Sequence, residues 1–224
     1  MQKSIIQFDQ VQKKYTGDIT ALQNLSLEIE RGELVFLAGP SGSGKSTILK
    51  LIAGIETATS GRVIVNGIDL TNTSQNHRTL IRSHIGFVFQ DHKILFDRSV
   101  FDNVRLPLDI LGYSEAEIKE RVESALFSVG LEHKINCMPQ QLSGGEQQRL
   151  CIARAVIHKP KILIADEPTA NLDRDNALRI LELFKSFHKA SATIIISAHD
   201  ETILSDYGKR IIRLTQGQFS GSSL

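Results

Sequence analysis

The chain has 224 residues, 26 Lys and Arg against 25 Asp and Glu, and a formal net charge of +1. Hydrophobic residues make up 41% and charged residues 23%, a globular balance that excludes a disordered or fibrous chain. So even a charge gives no case for a nucleic-acid partner or a polybasic membrane anchor. The two cysteines, Cys137 and Cys151, lack CxxC spacing, which predicts a reduced compartment without disulfides. MQKSIIQFDQ at the start has no apolar run of the signal-peptide kind. No stretch approaches the ~20 consecutive apolar residues a membrane span needs, so a partner would have to supply any span.

From Ile5 to about Asp69, β-rich runs alternate with turns: IIQFDQV, LSLEI, ELVFLAG and RVIVNG. Between the last two, KSTILKLIAG has the apolar spacing of a buried helix opening straight after a glycine loop. From about Gln90 to Val156 the pattern turns helical. There SEAEIKERVESALFSVG starts on a capping box of Ser114 and Glu117 and stops at Gly130. KILIAD, the helix DRDNALRILELFKSFHK, the run TIIISAHD and a terminal RIIRLTQGQFS hairpin return to α/β alternation. Strands alternating with helices predict a largely parallel core sheet.

Gly39, Pro40, Ser41, Gly42, Ser43, Gly44, Lys45 and Ser46 match G-x4-G-K-[ST], between a strand-like and a helix-like run. Glycines let the backbone turn its N–H groups toward phosphate, and the helix start adds favourable partial charge. Lys45 would reach the β- and γ-phosphates and the Ser46 hydroxyl would bind Mg²⁺, with Thr47 completing the ATP-binding run. KILIAD then ends on Asp166 and Glu167. A buried parallel strand that ends in carboxylates places them where α/β sheets hold ligands. Asp166 would hold Mg²⁺ through its water shell, and Glu167 would polarise the attacking water.

A second anion-type helix start lies at Leu142-Ser143-Gly144-Gly145-Glu146-Gln147-Gln148-Arg149. A Ser-capped surface helix is the bland account of it. With one phosphate loop already present, a second site makes sense if it serves a nucleotide held by another subunit.

LSGGEQQR resembles the signature of ATP-binding cassette (ABC) ATPases, and the resemblance spans nearly the whole chain. It implies an α/β fold: a P-loop NTPase ABC nucleotide-binding domain with a RecA-like core, an N-terminal antiparallel β subdomain and a helical signature subdomain. The whole chain, 1–224, would be one ABC ATPase domain. About 1–90 and 158–224 would form the catalytic α/β core with the β subdomain, and about 91–157 the helical subdomain. Residue by residue, the resemblance gives Tyr15 to adenine stacking and Gln90 to sensing Mg²⁺ and water. It gives Asn171, Leu172 and Asp173 to a loop that touches the opposite subunit, and His199 to the γ-phosphate. Ser143, Gly144, Gly145 and Glu146 would close over the partner subunit's ATP. Ala170 and Thr59 depart from the family pattern without touching an inferred chemical group.

The activity implied is Mg-dependent ATP hydrolysis at composite sites of a homodimer formed on ATP binding. Lys45, Gln90, Glu167 and His199 would be the catalytic groups, and Ser46, Gln90 and Asp166 the Mg²⁺ set. By resemblance the chain is a cytoplasmic subunit, peripheral on the inner face of the plasma membrane through a polytopic membrane partner. ADEPTANLD and the segment from Phe89 to Leu108 are most similar to the cell-division branch. A lipoprotein-releasing or macrolide-type transport ATPase is the alternative, and a soluble cassette acting on DNA or ribosomes is disfavoured. Ile94, Leu95, Phe96, Val100 and Phe101 would either line a groove for a partner helix or pack inside the helical lobe.

Overall fold

The computed structural model describes residues 4–17, 19–71, 73–198 and 210–223. Two sheets organise the fold. The first is antiparallel, in the order β2-β1-β4-β5, from β1 (Ser4–Tyr15), β2 (Ile19–Glu30), β4 (Ser60–Val65) and β5 (Ile68–Asp69). The second runs β10-β9-β3-β8-β7-β6, from β3 (Leu34–Ala38), β6 (Ile85–Val88), β7 (Ile162–Asp166), β8 (Thr193–Ala198), β9 (Arg210–Thr215) and β10 (Gln218–Ser223). Its pairings are parallel except for the β9–β10 hairpin at one edge.

The central strands read as continuous apolar runs because both faces of the sheet are covered. On β3, Val35 and Leu37 face α1 (Lys45–Ile52) and the antiparallel sheet, sharing a core with Ile48, Leu49 and Ile52. Leu34, Phe36 and Ala38 face the other way. There they meet a helical layer of α3 (Val100–Leu111), α4 (Glu115–Ser128), α5 (Gly144–Val156) and α6 (Arg174–Lys189). Alternation at period two thus assigns each side chain of one short strand to one of two cores.

The four helices of that layer open on side-chain caps. Ser99 starts α3, Asp173 starts α6, and the expected capping box of Ser114 and Glu117 starts α4. Each cap supplies an acceptor to a first-turn N–H that has no partner inside the helix. Gly86 lets α5 approach β6, since a Cβ there would collide with the Ala155 carbonyl.

Two features differ from what the sequence predicts. β1 and β2 run well past IIQFDQV and LSLEI, because β-bulges shift the register several times along the pair and erase simple alternation. A short helix, α2 (Gln75–Arg82), lies where no element was expected.

The apolar stretch after Gln90 divides between both expectations. Ile94 and Val100 belong to the core, Leu95 and Phe101 are half-buried, and Phe96 stands 47% exposed. The divider is Asn103, fully buried on α3. Its Oδ1 accepts from the Leu95 N–H at 2.9 Å, and its Nδ2 donates to the carbonyls of Leu95, Arg98 and Ser99. That clamp satisfies an otherwise buried loop and turns Phe96 outward. Among the described residues no helix is long and apolar enough to cross a membrane.

Candidate nucleotide site

The phosphate loop joins β3 to α1, and Gly39, Gly42 and Gly44 all take positive φ. At Gly44, φ is 102°, and an added Cβ would meet the Ala21 carbonyl at 2.7 Å. Only glycine satisfies both constraints. Ser43 is buried with its Oγ unpartnered, while Ser41 and Gly42 are open to solvent. Lys45 is 4% exposed, and its Nζ donates to the carbonyls of Gly39 at 2.7 Å and Pro40 at 3.0 Å. Burial lowers the Lys45 pKa, opposed by the carboxylates of Glu167 and Asp166. Among the described residues, a buried ammonium with no carboxylate in contact and an unpaired hydroxyl in the same loop are what an anion such as a triphosphate would complete.

β7 delivers the acid pair. Ser46 Oγ donates to Asp166 Oδ1 at 3.1 Å, linking the loop to the strand end. Gln90 Nε2 donates to the Glu167 carboxylate at 3.1 Å from just beyond β6. The hydroxyl, amide and carboxylate oxygens of Ser46, Gln90 and Asp166 make a hard, oxygen-only donor set that suits Mg²⁺. No group of three or more His, Cys, Asp or Glu among the described residues could hold a metal. Phosphate oxygens and water would therefore complete the shell. Tyr15 ends β1 beside the first turn of α1, its hydroxyl 3.4 Å from Thr47 Oγ1 and Lys13 over its ring at 4.8 Å.

His199, expected at the γ-phosphate, lies outside the described residues.

Ser143, Gly144, Gly145 and Glu146 open α5. Ser143 Oγ accepts from the Glu146 N–H, and the Glu146 carboxylate accepts from the Ser143 N–H at 2.8 Å. Backbone hydrogen bonding to Ser143 holds the Glu146 pKa below the usual range. Among the described residues these bonds close on each other and none reaches the phosphate loop. A Cβ at Gly144 would touch nothing, whereas one at Gly145 would meet Asn176 at 3.1 Å. Asn176 is in turn held by Asp173, the cap of α6, so Asn171, Leu172 and Asp173 adjoin the α5 start. Asn171 itself takes the left-handed conformation, at φ 61°.

Two groups at the site are not foreseen from the sequence. Ser197 on β8 is fully buried, accepts from the Glu167 N–H at 2.8 Å and donates to Asp166 Oδ1 at 2.7 Å. A serine after three isoleucines was the available signal. Arg154 on α5 donates to the carbonyls of His92 and Lys93, fixing the segment after Gln90. No local pattern marks it.

The ABC transporter family model matches residues 22–170. The chain belongs to the ATP-binding cassette family. It is 45% identical over 217 residues to the cell division ATP-binding protein FtsE of Escherichia coli strain K12, covering 97% of this chain and 98% of that one. To FtsE of Bacillus subtilis it is 38% identical over 213 residues, covering 95% and 93%. Among solved structures it is similar to the ATP-binding cassette MJ0796 in a dimeric post-hydrolysis state bound to ADP and Pi. That match has a TM-score of 0.90 at 37% identity and covers 97% of both chains. The chain is thus an ABC ATPase of the FtsE type, with the α/β cassette fold, and it hydrolyses ATP.

Lys45→Ala removes a charged donor worth roughly 1.5–3 kcal/mol at a phosphate, so ATP affinity should fall about 10- to 100-fold with the fold retained. A fluorescent-nucleotide titration reads this. Parental affinity in the variant would contradict the phosphate-loop assignment.

Proposed function

We propose that the chain is the ATPase subunit of a cell-division complex, working as an ATP-sandwich dimer on an FtsX-like polytopic membrane protein. It would sit on the cytoplasmic face of the plasma membrane through that partner. Its output would be regulation of septal cell-wall remodelling, alongside other division components. The observation that carries this reading is the division of the machinery within one chain, taken with full-length similarity to the FtsE proteins. Lys45, Ser46, Gln90, Asp166 and Glu167 gather at one set of strand ends, and among the described residues the side-chain bonds of Ser143 and Glu146 at the start of α5 close on each other. A second copy is the natural recipient of that open start.

Phosphoryl transfer to water needs positioning and charge stabilisation more than covalent chemistry from the protein. Lys45 would give its ammonium to the phosphates in place of the loop carbonyls. Ser46, Asp166 and Gln90 would hold Mg²⁺, which neutralises charge on the phosphate oxygens. Glu167, oriented by Gln90, would accept a hydrogen bond from the attacking water. Tyr15 would stack on adenine, and His199 would contact the γ-phosphate. Ser143, Gly144, Gly145 and Glu146 would supply N–H groups and a hydroxyl to the partner's ATP, with Asn171, Leu172 and Asp173 at the seam. Such an interface is isologous, each subunit giving what it receives.

Glu167→Gln keeps the shape and loses the charge, so it should bind MgATP, hydrolyse it very slowly and accumulate as a dimer. Gly144→Asp has room for its side chain within its own subunit. It should bind ATP normally and stay monomeric, because its carboxylate would face the partner's phosphates. Sedimentation velocity with MgATP separates the two, and a dimeric Gly144→Asp protein would contradict the sandwich arrangement.

Phe96 is the best partner anchor in the segment after Gln90, since its exposure has no packing role in the subunit to explain it. Phe96→Ala should lower co-purification of the membrane protein several-fold, while the melting temperature and ATP affinity hold. Undiminished recovery would place the docking surface elsewhere.

A further inference from the structure

Ser197 lies in the interior of the parallel sheet, opposite Asp166 in the β7–β8 register. That pair is the last of the ladder. One residue later the chain turns, and Glu167 adopts φ 48°, in the left-handed region that side chains other than glycine enter at a cost. The serine hydroxyl stands at this turn. It accepts the Glu167 N–H at 2.8 Å and donates its own proton to Asp166 Oδ1 at 2.7 Å. One buried hydroxyl therefore fixes a backbone direction and a carboxylate direction together.

The two acids depend on it differently. Asp166 has a second donor in Ser46, at 3.1 Å. The Glu167 conformation is set by its backbone, and Ser197 bonds that backbone directly. Gln90 then steers the far end of the same side chain. An unusual backbone conformation at a functional residue persists when its surroundings over-determine it.

We infer that Ser197 is a positioning residue for ATP hydrolysis: its hydroxyl holds Glu167 in the left-handed turn that aims the carboxylate at the attacking water. This rests on the role proposed above for Glu167. Ser197 is fully buried and its hydroxyl is engaged by Glu167 and Asp166, so its loss should lower kcat and leave ATP binding nearly intact.

The test is a double-mutant cycle on the full chain: parent, Ser197→Ala, Glu167→Gln and the double variant. Turnover, KM, ATP affinity by fluorescent-nucleotide titration and melting temperature are measured for each. Ser197→Ala should lower kcat by about tenfold or more, since small misplacements of a catalytic group are costly. KM and ATP affinity should stay close to the parent. Ser197→Thr, which keeps the hydroxyl, should recover much of the loss. In the Glu167→Gln background, removing the hydroxyl should cost no further turnover, because residues acting as a unit are not additive.

Parental kcat in Ser197→Ala would overturn the inference. So would an equal fold-loss in both backgrounds, which is the pattern of a residue that only stabilises the fold. If Glu167→Gln itself turns over normally, it is the role of Glu167 that falls, a distinguishable result. Should Ser197→Ala melt too low to assay, Ser197→Cys goes through the same cycle and is judged by the same two results, its thiol being a much weaker partner for both groups.

Discussion

The parallel pairing of β7 with β8 sets Asp166 opposite Ser197. Everything chemical in the subunit is built outward from that pair. Apart from Thr193 at the start of β8, both strands are apolar up to that level because cores press on both faces of the sheet, so polar groups emerge towards the strand ends. β3 ends at the matching height beside β8, with Ala38 paired to Ala198, and the phosphate loop leaves from there. The Ser46 hydroxyl then needs only to span 3.1 Å to reach Asp166. A one-residue slip of β7 would bury the wrong side chain and break the contacts of Ser46 and Ser197 with Asp166 together.

α5 ties the rest of the machinery to that centre. Its first turn presents the signature residues, and Arg154, further along, holds the segment that follows Gln90. His92 and Lys93 both take left-handed conformations, at φ 58° and 49°. Each such residue costs roughly 1–2 kcal/mol. A charged donor's hydrogen bonds return roughly 1.5–3 kcal/mol each, so the two from Arg154 are of the size needed to offset the strain. Burial lowers the His92 pKa, and a hydrogen bond with Gln148, also on α5, opposes that shift. Burial also pushes the Cys151 thiol up to about 12, leaving it a packing group rather than a reactive one. One helix therefore carries the open signature start and grips the chain beside Gln90.

What was legible in the sequence was local. The glycine loop, the acid pair after an apolar strand, and the Ser114–Glu117 capping box each lie within a few residues, and each announces its geometry by spacing. Ser197, Arg154 and Asn103 were not legible in the same way. Ser197 and Arg154 meet partners 30 to 62 residues away in the chain. Among the described residues Asn103 bonds nearby backbone, yet its meaning depends on being buried within the helical layer. The same limit governed the apolar stretch after Gln90, where composition could not say that Ile94 and Val100 point inward and Phe96 outward. The bulges of β1 and β2 hid strand length for a related reason, since a bulge breaks the alternation that reveals a strand.

In the proposed dimer two copies complete each other's sites, and subunit complementation tests that most directly. Lys45→Ala retains an intact signature start, and Gly144→Asp retains an intact phosphate loop. Each alone should hydrolyse ATP hardly at all. Mixed, they form heterodimers in which one of the two composite sites has every group it needs. ATPase activity should therefore reappear on mixing and pass through a maximum as the ratio of the two proteins is varied. Activity no greater than the sum of the separate variants at every ratio would contradict the shared site.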